Sequence, residues 1–261
     1  MSGQRVRDAC RQAWQRNALP GLAVAASVGG TVVYDGAWGE AEGYWRGVAL
    51  DRGREGILGL VAEEPLRFEP GEGYAYDNTG FYLLGVAIEA VTGTSYGAFL
   101  EERVVRPLGL RATRVNDAAA LVPDRVRGYS RRGESAVNRP CYSTDNTYSA
   151  GALLASAWDL ARFAASVHAG ELLEPALRGA MRTPHPTGQG NELGGGFRTG
   201  LGWFLVDDGR RRFEGHGGSI LGFRSALIRR PEEGIAVAVL ADGGWWQDPE
   251  ELALEVARSL T

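Results

Sequence analysis

The sequence predicts an α+β fold: an antiparallel sheet assembled from both chain ends, flanked by terminal helices, with a helical lobe inserted between them. Three observations lead there. Strand-like runs cluster near the two ends, helix-period apolar patterns fill the middle, and an amphipathic helix stands at each extreme. The sheet lobe is expected over residues 1–43 and 195–261 and the mainly helical lobe over 44–194, as one interleaved domain.

Residues 4–17 place Val6, Cys10 and Trp14 at helical spacing, and Pro20 ends that pattern. The apolar run from Gly21 to Val28 breaks at Gly29-Gly30 and resumes as Thr31-Val32-Val33-Tyr34, which reads as a β-hairpin over 22–39 rather than a signal peptide. Helices are expected at 54–63, at 79–92 (Phe81, Leu83, Leu84, Val86, Ile88) and at 95–105, the last ending before Pro107. Residues 113–150 keep no period and read as loop with short extended pieces. Ser156, with Asp159 three residues on, caps a helix reaching His168, and a shorter helix follows over 175–181. The Gly- and Pro-rich stretch 183–199 reads as loop. Strands are expected at 200–206, 211–215, 222–229 and 234–241, and Asp248-Pro249-Glu250 opens the final helix with Asp as its cap.

An apolar fraction of 44% against 23% charged residues suits a soluble chain with a sizeable core. The net charge of −4 gives no global attraction to nucleic acid or anionic membrane, and no run approaches the length of a membrane span. Neither partner class is expected, and the expected location is cytoplasmic. Cys10 and Cys141 form no metal spacing and read as unpaired thiols; His168 and His185 have no partners at ligand spacing, so no metal and no cofactor is expected. Arg210-Arg211-Arg212 and Arg229-Arg230 read as solvated strand ends, and Trp245-Trp246 as either a cleft rim or ordinary packing. All 28 basic residues are arginine; the sequence contains no lysine.

Three segments carry chemistry when taken together. Pro70-Gly71-Glu72-Gly73-Tyr74-Ala75-Tyr76-Asp77-Asn78-Thr79-Gly80 precedes the apolar helix, Ser149-Ala150-Gly151-Ala152-Leu153-Leu154-Ala155-Ser156 precedes the capped one, and Gly215-His216-Gly217-Gly218-Ser219-Ile220-Leu221-Gly222-Phe223 lies among the late strands. Each alone is also explained by a turn or a hydrogen-bonded histidine. In this order, with Leu19-Pro20-Gly21-Leu22-Ala23-Val24 and Glu64-Pro65-Leu66-Arg67-Phe68-Glu69-Pro70-Gly71 as flanks, the set resembles the serine β-lactamase, penicillin-binding protein and class C-like esterase superfamily.

The resemblance implies a β-lactamase/transpeptidase-like fold. It implies that Tyr76 and Asn78 are the Tyr-x-Asn element, in which the tyrosine exchanges protons and the asparagine orients substrate. His216-Gly217-Gly218 then stands for the strand element written Lys-Thr-Gly elsewhere, with the Ser219 amide as an oxyanion-hole donor. Gly217, Gly218 and Ser219 become the substrate-binding strand.

The family's Ser-x-x-Lys element has no match. The chain passes from Trp38-Gly39-Glu40-Ala41-Glu42 straight to Gly43-Tyr44-Trp45-Arg46, where several tens of residues of the family pattern are missing. Nucleophile, proton acceptor and one oxyanion donor go with them. Tyr76, without a cationic partner, is expected to titrate near its usual value, about one molecule in a thousand ionised at pH 7. The leading expectation is a non-hydrolytic relative that binds a small amide or ester or serves an interaction. The alternative is a residual esterase, β-lactamase or D-Ala peptidase type of hydrolase, with Ser219 or Ser149 attacking and His216 as base; Ser219 is expected to face away from His216, and Glu214 is the one weak orienting carboxylate. A deletion product with no independent function is a third reading. Losing a buried helix forfeits roughly 6–15 kcal/mol of apolar burial, the whole stability of an ordinary domain. An apolar groove beside helix 79–92 is therefore expected to drive homodimerisation or partner binding.

Overall fold

A computed structural model describes residues 2–17, 21–39, 53–63, 68–69, 71–139, 144–185, 197–207, 212–220 and 222–261. Cys141, Pro70 and residues 43–46, among those singled out above, lie outside them. In chain order the elements are α1 (Ser2–Arg16), β1 (Gly21–Val28), β2 (Thr31–Gly39), α2 (Gly53–Glu63), α3 (Asn78–Thr92), α4 (Tyr96–Leu100), a π-helical turn (Glu101–Val105) and α5 (Arg106–Leu108). Then come β3 (Arg114–Val115), β4 (Tyr129–Arg132), β5 (Ser135–Asn138), a 3₁₀ turn (Tyr148–Ala150), β6 (Leu153–Leu154), α6 (Ala157–Ala169) and α7 (Pro175–Arg182). The chain closes with β7 (Phe197–Thr199), β8 (Phe204–Asp207), β9 (Arg212–Ile220), β10 (Phe223–Arg230), β11 (Ile235–Ala241) and α8 (Pro249–Arg258).

One seven-stranded antiparallel sheet, in the order β2-β1-β11-β10-β9-β8-β7, joins the N-terminal hairpin to the C-terminal strands. Gly29 and Gly30 both hold positive φ (56° and 82°), the two-residue turn that matches strand twist. Strand β11 reads Ile-Ala-Val-Ala-Val-Leu-Ala, apolar at every position, because it lies mid-sheet with helices over both faces. On one face α1 (Val6, Cys10, Ala13) and α8 (Leu252, Ala253, Val256) pack on Leu22, Val24, Val237, Val239 and Ile228. On the other, α6 brings Ala157 and Ala161 onto Ala25 and Ala238, alanine on alanine. Burial at that first face pushes the Cys10 thiol up to about 12, which leaves it a packing residue.

Several expectations needed correction. The helix after residue 95 does not stop before Pro107: its middle widens to a π turn, and Pro107 then sits in the first turn of α5, where a missing N–H costs nothing. Residues 197–199, read as loop, form edge strand β7, and His185 bridges to Thr199. The strand expected to end at residue 215 runs on to Ile220, carrying the His216-Gly217-Gly218 segment inside it. Asp248 makes no side-chain cap to α8. Arg229 is not solvated: strand alternation turns it onto the face of its register partner Glu214, where it is 3% exposed, 3.6 Å from that carboxylate and 5.1 Å from the Trp203 ring. Trp246 is core and Trp245 packs beside it, donating Nε1–H to the Asn17 carbonyl at 3.0 Å, so the pair belongs to packing.

The helical part is unevenly filled. Val105, Leu108 and Leu110 form a small core with Phe163 and Leu172, anchored by buried Asp159. Its carboxylate accepts from Arg111 N (3.1 Å), Ala112 N (2.8 Å) and the Thr113 hydroxyl (2.7 Å), while Ser156 caps α6 by accepting from Asp159 N. Helix α3, by contrast, buries only Tyr82 and Gly85, and leaves Phe81, Leu83, Leu84 and Val91 exposed. In α2, residues 53–59, 61 and 62 are all at least partly exposed. Among the described residues no single helix is long and apolar enough to cross a membrane.

Candidate active site

Asp77 caps α3, accepting from Thr79 N at 2.8 Å, and this fixes Tyr76 and Asn78 on either side of the helix start. The Tyr76 hydroxyl donates to Asn78 Oδ1 at 3.2 Å. The Tyr76 ring lies 5.8 Å from the His216 ring and 6.1 Å from that of Phe204, and Phe204 stacks on His216 at 4.6 Å, 20° from parallel. The first and last sequence segments thus meet at one place: Tyr76, Asn78 and His216 share a site, with Phe204 as its aromatic wall.

Strand β9 shapes the rest. Leu227, the register partner of His216, packs with α6, so His216 points to the helical side; Phe213 belongs to the core under α1 and α8, so Gly215, Gly217 and Ser219 turn to the opposite face. Strand β8 pairs only as far as Gly215, so among the described residues the edge of 216–220 has no strand partner beyond it. The short hairpin to β10 makes Ile220 and Phe223 a closing pair, so the backbone groups of Gly217 and Ser219 point to that open edge. The Ser219 amide therefore points to that edge, while the Ser219 side chain faces away from His216.

Gly217 faces the start of α8. A Cβ there would stand 2.3 Å from Oε1 of Glu250 in the first turn of α8. Burial holds the Glu250 carboxyl above its usual range, while a hydrogen bond from its own backbone amide pulls partly the other way. Gly218 fits against Ser225 on the helical face, where a Cβ would meet its Oγ at 2.1 Å. The His216 Nδ1–H donates to the Gly217 carbonyl, so the neutral ring carries its lone pair on Nε2.

Burial, helped by Asp77, pushes the Tyr76 hydroxyl above its ordinary value rather than leaving it there, so its phenolate is scarcer than expected. Among the described residues no guanidinium contacts Tyr76, and no serine hydroxyl bonds His216. Ser149 is committed elsewhere: its hydroxyl is shared between the Phe81 and Tyr82 carbonyls (2.8 and 3.1 Å), packed where a Cβ on Gly85 would collide with it. Glu214 binds Arg182 and Arg229 instead of orienting His216. Beside Ser149, Tyr148 donates to Glu89, whose other oxygen meets Arg54 at 2.6 Å. Among the described residues no cluster of three or more His, Cys, Asp or Glu is placed to hold a metal.

Phe204 and Glu250 escaped the sequence reading, because each reaches the site from a separate element with no local motif around it.

The chain is 28% identical to penicillin-binding protein 4* of Bacillus subtilis over 189 residues, 66% of this chain and 41% of the relative. It is 32% identical to a D-aminopeptidase of Brucella anthropi over 164 residues, 60% of this chain and 29% of the relative. It therefore spans less than half the length of these relatives. In fold it superposes on the D-amino acid amidase of Ochrobactrum anthropi with a TM-score of 0.80 at 16% identity, covering 98% of both chains. A D-stereospecific amidohydrolase from Streptomyces gives 0.75 at 22% identity, covering 95% of this chain and 96% of the other. The Beta-lactamase family pattern matches residues 40–260, and with the β-lactamase-like sheet and the Tyr76–His216 site in place, the chain belongs to the Beta-lactamase family.

Proposed function

We propose that this chain is a non-hydrolytic member of its family that binds a small amide or ester between Tyr76, Asn78, His216 and the open edge of β9. The observation that carries the reading is the lysine-free sequence, which has no Ser-x-x-Lys element to set beside a Tyr-x-Asn and strand element that do converge. The ligand's carbonyl oxygen would accept from the Ser219 amide, its amide hydrogen would reach the Gly217 carbonyl, and Asn78 would orient the side opposite. An acyl-enzyme needs a hydroxyl with a proton acceptor. Tyr76, held above its usual value, is a poor acceptor at neutral pH. D-amino acid amides are the natural probes, given the substrates named for the relatives.

Intact-protein mass spectrometry after exposure to a fluorophosphonate and, separately, to a penicillin tests this. No adduct is expected on folded protein, while calorimetry with a D-amino acid amide should show binding weakened at least about tenfold by His216→Ala. A one-to-one adduct abolished by a single serine substitution overturns the reading and names a nucleophile.

A further inference from the structure

Helix α3 carries a single charged side chain, Glu89, and it is turned inward to Arg54, Tyr148 and the Tyr96 amide. The outward side has none. Gly80, Leu84, Ala87 and Val91 follow one another at spacings of four, three and four residues and are all exposed, Leu84 by 59% and Val91 by 87%. Phe81 and Leu83 flank this seam, also exposed. Such spacing is that of a helix–helix seam, in which apolar residues at alternating three and four intervals stay on one line. Small Gly80 and Ala87 alternate with large Leu84 and Val91, which lets two helices interlock.

We propose that α3 is a self-association face, on which a second copy of this chain docks α3 against α3 about a two-fold axis. Two features select a second copy. An uncharged face meets itself without like-charge repulsion, so the same patch serves both partners, as a two-fold contact requires. The exposed side of α3 comes to roughly 500 Å² per copy, about 1,000 Å² for the pair, the lower edge of specific interfaces. A lipid surface fits less well: helices that lie on membranes carry basic flanks, and α3 has no basic residue in its last turn and no charge in its first. The dimer is accordingly weak and reversible.

Sedimentation velocity of the full chain from about 1 to about 100 μM covers the range where an interface of this size associates. A concentration-dependent monomer–dimer equilibrium is expected. Leu84→Glu and Val91→Glu should each raise the dissociation constant at least about tenfold. Val33→Glu, at an exposed apolar position on β2, should leave it unchanged. Unaltered circular dichroism and melting temperature keep the comparison among folded proteins. A monomer throughout the range overturns the proposal, as does a dimer indifferent to both α3 variants. Recovery of a monomeric chain on phosphatidylcholine vesicles overturns it in favour of a lipid surface.

Discussion

A side chain at residue 217 would meet the end of the Glu250 side chain, in the first turn of α8. Gly217→Thr brings a Cβ against the Glu250 carboxylate, which must swing aside. The cost is that of moving the Glu250 side chain, about 0.5–1.5 kcal/mol in urea denaturation, with Glu250→Ala recovering most of it in the double variant. Glu89 gives a second test. Its hydrogen bond to Arg54 is the main cause that holds its carboxyl down, at about 2 against an ordinary 4.5, with Tyr148 and the Tyr96 amide adding to it. A carboxyl lowered on folding stabilises the folded state fully above pH 4.5 and loses that contribution as pH falls toward 2. Acid titration followed by tyrosine fluorescence should therefore show Tyr148 released in that window, and Glu89→Gln should remove the transition. Tyr76, Asn78 and His216 were legible because each sits in a short pattern whose order along the chain is informative. Glu250, Phe204 and buried Arg229 were not, since their roles come from pairing register and helix placement between distant segments.

Helices differ here in what holds them. Helix α6 is tied at its start by Asp159, whose three bonds are made out of water. Asp159→Ala leaves two backbone N–H groups without that partner, and a destabilisation of about 2–4 kcal/mol is expected from the shift in denaturation midpoint. Helix α2 stands at the other extreme: Arg54 bonds Glu89 and lies over the Tyr148 ring, but residues 53–59, 61 and 62 are all at least partly exposed. Its amides should exchange hydrogen orders of magnitude faster than those of α6 or β11, a difference read directly by hydrogen-exchange mass spectrometry. The element boundaries that sequence misjudged share a cause. Pro107 was read as a stop because helix periodicity carries no sign of a π turn, and β9 was cut short because Gly-Gly usually marks a turn; tertiary neighbours overrode both.

Apart from edge strand β7 and the second half of β9, the sheet was visible early because its strands lie near the two chain ends as alternating or continuous apolar runs. An exposed apolar face beside helix 79–92 was expected from the sequence and α3 carries one, while the alanine contact between α6 and the sheet was not foreseen. The sheet has a further consequence, which concerns time rather than geometry. Strand β1 lies between β2 and β11, and Leu22 pairs with Ala241, so its inner edge has no partner until nearly all of the chain has been made. During synthesis the run Leu22-Ala23-Val24-Ala25-Ala26 therefore waits as an unpaired apolar edge, while the ribosome adds everything up to β11. Contacts between residues so far apart in sequence also make closure slow. The yield of soluble protein should thus depend on chaperone supply and growth temperature far more than the finished fold's melting point would suggest.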